Sequence, residues 1–70
     1  MAVASVSTIT AASPIGWEDA TRRGFERARK TLRNITGIQV VEEKARVEEG
    51  RITEFLVTLR IIFILEDSDS

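Results

Sequence analysis

The chain has 70 residues, with ten Lys and Arg against eleven Asp and Glu, 43% hydrophobic and 30% charged residues, which describes one small ordered domain and not a disordered tail. The net charge of −1 argues against a nucleic-acid or anionic-membrane partner, and the lack of Cys and His excludes disulfides, thiol catalysis, Cys/His zinc sites and imidazole bases. A core this small without staples is close to the limit of self-sufficiency, which leaves very regular packing or association with copies of itself.

The chain opens on Met1-Ala2-Val3-Ala4-Ser5-Val6, which has neither a basic region nor a compact apolar one and so does not read as a secretory leader. The longest apolar run, Ile61 to Leu65, is five residues, far short of the ~20 that a spanning helix needs. No membrane partner and a cytoplasmic location are expected.

Residues 3–11 are rich in Val, Thr and Ile without a charge and predict a strand, although their alternation is imperfect. Pro14 ends it. A helix could start with Ser13 as N-cap and Pro14 at its first position, but Gly16 as N-cap is preferred. That choice places Glu18 and Asp19 in the first turn, where carboxylates complement the helix dipole.

Trp17, Ala20, Gly24, Ala28, Leu32 and Ile35 recur at steps of three and four, which predicts a helix over 17–35 with Phe25 flanking the apolar stripe. Arg and Lys gather in its later turns. Gly37 is expected to stop it as a left-handed C-cap. Residues 38–48 and 51–65 predict two strands joined at Glu49-Gly50 into a hairpin. On the last strand Phe55, Val57, Leu59, Ile61, Phe63 and Leu65 form one apolar face. Residues 66–70 read as an acidic tail.

Strand, helix, strand, strand gives an α+β fold, a βαββ chain whose helix covers one face of a three-stranded antiparallel sheet. The other face carries Ile52, Leu56, Ile62 and Ile64 among polar residues. Left in water, each would forfeit about 1.5–3 kcal/mol. Copies of the same chain are the simplest cover.

Chemistry is sparsely signalled. The helical Arg and Lys read as a solvated face with favourable pairs such as Asp19–Arg23 and Glu26–Lys30. Glu42-Glu43, Glu48-Glu49 and the tail could hold a hard cation such as calcium, but they lack EF-hand spacing, and no metal site is assigned. Glu42 and Glu43 are adjacent on a strand and point to opposite faces, so they are not an acid/base pair. Without a nucleophile–base signature the chain is not expected to be an enzyme and has no catalytic residue. Trp17 and Phe25 read as core packing and not as a ligand box.

Several stretches taken together carry a family resemblance. Ser13-Pro14-Ile15-Gly16-Trp17-Glu18-Asp19-Ala20 resembles the S-P-x-S-W-E-D-A helix entry of dodecins. Arg27 to Asn34 is similar to their R-A-x-K-T-L-R-N, residues 41–50 to V-E-x-R-G-x-I-E-x-G, Glu54 to Leu59 to E-Y-Q-V-T-L, and Phe63, Leu65 and Glu66 to the closing F-R-L-E. The resemblance covers residues 13–66 without gaps. It implies a sheet wrapped around the helix, a hollow homododecamer, and flavin bound in pairs between subunits for storage or buffering.

Dodecins stack the flavin ring on a Trp where this chain has Gly37, and hydrogen-bond its polar edge with a Gln where it has Leu56. The closing Arg is Ile64, and the hairpin Arg survives as Lys44, followed by Ala45. Gly37, Gln39, Lys44 and Leu56 are therefore the candidate cofactor-binding residues, matching or beside the implied flavin site. Losing the stack removes about 0.5–1.5 kcal/mol, and unpaired polar edges cost about 1–3 kcal/mol each. These replacements predict weak or no binding of riboflavin or FMN. The expected function is a dodecin-like homododecameric binding or storage protein for a small molecule. The alternative is a structural or calcium-binding dodecameric shell without an organic ligand.

Overall fold

The computed structural model describes residues 3–65. The elements are β1 (Val3–Ser13), α1 (Trp17–Ala28), β2 (Ile35–Glu48) and β3 (Arg51–Leu65). They form the expected βαββ fold, with one helix on a three-stranded antiparallel sheet of order β1-β3-β2. The acidic tail at 66–70 lies outside the described residues.

The most apolar strand takes the centre. Val57, Leu59 and Ile61 are fully buried beneath α1, as the odd-numbered face of β3 predicts. Leu65, at the end of that face, is 46% exposed. β1 alternates more regularly than its composition suggests. Ser5, Ser7, Ile9, Ala11 and Ser13 are the more buried residues, and their pairing with odd β3 positions puts them on the helix side. The hairpin turns at Glu49 and Gly50, with φ of 51° and 76°. Two successive positive φ values suit the twist of the flanking strands.

The helix meets the sheet through small residues. Ala20, Gly24 and Ala28 are its buried line. A Cβ on Gly24 would lie 2.9 Å from Leu59 Cδ1 and 3.0 Å from Ala11 Cβ, so glycine sets how closely the two layers approach.

Gly16 is the N-cap and makes no side-chain cap bond. The corner is held instead by Ser13, which is 1% exposed. Its Oγ accepts the Ile15 N–H (3.0 Å) and donates to Asp19 Oδ2 (2.6 Å). Arg23 Nε also donates to Asp19 Oδ2, at 2.6 Å. The Ser13 hydrogen bond, then the Arg23 guanidinium, hold the Asp19 carboxyl below its ordinary value of 3.8.

The helix ends at Ala28 and not at residue 35. The Thr31 and Leu32 N–H groups both donate to the Ala28 carbonyl, at 3.1 and 2.9 Å, which makes one last irregular turn. Asn34 then takes φ 60° and reverses the chain. Its carbonyl accepts the Ile64 N–H at 3.0 Å. Gly37 is not a C-cap: it lies within β2, which starts at Ile35 and not at residue 38. The β-branched tract from Ile35 to Val41 suits a strand better than a helix. Leu32 and Ile35 still pack on the core, from a loop and a strand.

The described chain is long and thin, 56 × 18 × 13 Å, with a radius of gyration of 14.8 Å. A compact chain of this length would have about 11 Å. The twelve-residue helix is about 18 Å long. The fifteen-residue β3 runs for about 50 Å. No helix among the described residues is long and apolar enough to cross a membrane.

Two outcomes follow. Gly24→Ala gains about 1 kcal/mol of helix propensity but overpacks a contact with no room, at about 1–3 kcal/mol; a thermal melt should show a lower midpoint. Because the Asp19 pKa is depressed in the folded chain, its contribution is complete above about pH 3.8 and is lost as pH falls through the folded value. Asp19→Asn should therefore lower the midpoint at neutral pH, and the gap to wild type should close on acidification below pH 3.8.

Candidate functional site

Partners across an antiparallel ladder share a face of the sheet. Lys44 pairs with Leu56, Gln39 with Arg60, and Gly37 with Ile62. All three β3 partners are even-numbered, so the four candidate residues lie on the face turned away from α1. β1 adds Ala12, Thr8 and Val6 to the same three rows.

A bulge makes this possible. Gln39 and Lys44 are five positions apart, and a regular strand would turn them to opposite faces. The register shift between Val40 and Glu42 leaves Val41 unpaired and restores the phase. Both valines are about half exposed, at 46% and 52%. Consecutive valines are the only hint of this in the sequence, and they are ordinary in any strand. Arg60 and Ile62, companions of Gln39 and Gly37, follow from the register and not from composition.

The four residues do not form one cluster. Leu56 and Ile62 are six positions apart on β3, about 20 Å. Gly37 and Gln39 sit near one end of the face, with Lys44 and Leu56 toward the hairpin. Lys44 Nζ lies 3.7 Å from Glu42 Oε1, an exposed pair worth little. The Lys44 carbonyl serves the fold, accepting the Trp17 Nε1–H at 2.9 Å. Trp17 also meets Phe55 edge-on, with ring centroids 5.0 Å apart at 82°. Its ring is therefore committed to the helix side.

Gly37 has room for a Cβ. A Cβ there would touch only Ile62 Cδ1, at 3.6 Å, and its φ lies outside the left-handed region. On the helix side, Gly37 borders a shallow hollow of about 320 Å³ with Phe25, Ile35, Thr36 and Ile38. A larger groove, about 560 Å³, runs between α1 and the free edge of β1. Gln39, Lys44 and Leu56 line neither.

Among the described residues no three His, Cys, Asp or Glu side chains converge as metal ligands. The Ser13–Asp19 contact uses the serine both as donor and as acceptor within the corner, which makes it a structural lock.

The sequence model of the Dodecin family matches residues 3–66. Among solved structures, a protein from Thermus thermophilus is 31% identical, with a TM-score of 0.90 over 97% of this chain and 100% of that one. Dodecin from Streptomyces davaonensis is 33% identical, with a TM-score of 0.88 over 94% and 97%. A calcium-chelating immunodominant antigen from Mycobacterium tuberculosis, described as a calcium dodecin, is 30% identical, with a TM-score of 0.80 over 94% of each chain. No curated protein sequence matches.

The space at residue 37 gives a direct expectation. Gly37→Trp should fold with a thermal midpoint at or above that of wild type, since a Cβ there meets one ordinary contact within the chain and the backbone lies outside the left-handed region. A midpoint lowered by ten degrees or more, about 2 kcal/mol in so small a domain, would contradict it.

Proposed function

We propose that this chain, which belongs to the dodecin family, is the protomer of a hollow homododecameric shell in the cytoplasm that binds or stores a small molecule, and that ordinary flavins are poor ligands for it. One observation carries the reading. The candidate residues lie along an open sheet face, strung over about 20 Å with no wall beside them among the described residues. A binding site built from them needs walls from neighbouring copies. The same face presents Val6, 45% exposed, which association would take out of water; Ile52 is not on it, because the register shift between Arg46 and Val47 turns Ile52 to the helix side with Val47.

Gly37, Gln39, Lys44 and Leu56 would line the site. Leu56 and Gly37 supply contact but neither a hydrogen bond nor a ring to stack on, so a planar heteroaromatic ligand loses both its wall and its polar partner. Lys44 and Gln39 remain able to meet an anionic or amide group. The role we assign it is binding, in keeping with the family it belongs to.

Two measurements on one preparation test this. Native mass should fall at a closed multiple of the protomer, and FMN should quench only weakly, with no saturation at submicromolar concentration. Gly37→Trp with Leu56→Gln should bind FMN more tightly than wild type. Protomer mass would overturn the shell, and tight FMN binding by wild type would overturn the account of its ligand. Tight calcium binding by the assembled shell, with no organic ligand retained from native cells, would favour the cation-binding alternative.

A further inference from the structure

The sheet has two free edges of opposite character. β1 has no charged residue in Val3–Ser13 and pairs with β3 without a register shift. β2 carries Glu42, Glu43, Lys44, Arg46 and Glu48 and is interrupted by three register shifts. Charges and bulges protect an edge from indiscriminate pairing, and a flat uncharged edge invites it. The open groove of about 560 Å³ lies along the β1 edge, with Ile9, Gly24 and Leu32 among its apolar residues and Arg23 and Arg27 at its helix wall. Arg23 is committed to Asp19. Arg27 has no ion pair among the described residues.

On β2, Glu43 pairs with the buried Val57, which places it on the helix side of the sheet. It is exposed and also lacks an ion pair among the described residues.

We propose that the β1 edge of one copy receives the β2 edge of a second, with Glu43 of the incoming strand meeting Arg27 on the groove wall. Charge decides among the possible pairings. Joining β1 to β1 brings the unpaired Arg27 side chains of two copies to one seam, and joining β2 to β2 does the same with two unpaired Glu43 side chains. Only β1 with β2 is complementary, and like-charge seams discriminate against the alternatives. The contact is head-to-tail, of the kind that closes into rings and shells. It rests on the assembled reading above and names the edge that makes the assembly.

Charge exchange tests it. Native mass would be followed across dilution for wild type, Arg27→Glu, Glu43→Arg and the double variant, with circular dichroism confirming folded chains. Each single variant should dissociate at a protomer concentration at least tenfold higher than wild type, and the double variant should recover. If Arg27→Glu does not fold, Arg27→Gln removes the charge without reversing it and should weaken assembly in the same direction. A single variant that assembles like wild type, or a double variant that fails to recover, overturns the β1–β2 seam while leaving the shell standing. A wild-type chain at protomer mass overturns both.

Discussion

One short helix must cover a sheet more than twice its length, and that mismatch governs the protomer. Ala20, Gly24 and Ala28 let α1 settle directly onto Leu59 and its neighbours, which makes a tight contact but a small one. Val57, Leu59 and Ile61 fill the space beneath it. Beyond the helix the hairpin continues with little cover, and no element among the described residues covers the opposite face of the sheet. The close approach comes from the small residues at the contact, and the exposure elsewhere from the shortness of the helix.

The same mismatch locates the candidate site. Residues on the uncovered face are available to a ligand or a neighbour, whereas those beneath α1 are spent on the fold. Trp17 and Lys44 divide along this line. The Trp17 ring ties the helix entry to Phe55 and to the Lys44 backbone. The Lys44 side chain, on the same strand, belongs to the outer face. The chain therefore has an aromatic residue typical of a binding site without having it where a ligand would stack.

Much of this was legible in the sequence. The apolar alternation of β3, the turn at Glu49-Gly50, the acidic first turn of α1 and the βαββ order all follow from local rules that tertiary structure did not overrule. The end of α1 was not legible. Leu32 and Ile35 keep helical spacing from Ala28 and do pack on the core, so periodicity could not reveal that the chain reaches them by another path. Asn34 makes the reversal at φ 60°, and Gly37, the more obvious stop signal, is absorbed into a strand. The grouping of Gln39 with Lys44 on one face was hidden for a related reason. It depends on the bulge at Val41, which is set by pairing with β3 and not by the valine itself. Local signals identify elements; register and bulges, which decide faces, belong to the whole sheet.

The central claim is that the protomer's fold is completed by copies of itself. The most direct test is the thermal midpoint as a function of protomer concentration over about a hundredfold range, because folding linked to association makes the midpoint depend on concentration. The account predicts a midpoint that rises steadily with concentration, as dissociation and unfolding proceed together. A midpoint independent of concentration, in a sample that runs at protomer mass throughout, would contradict it.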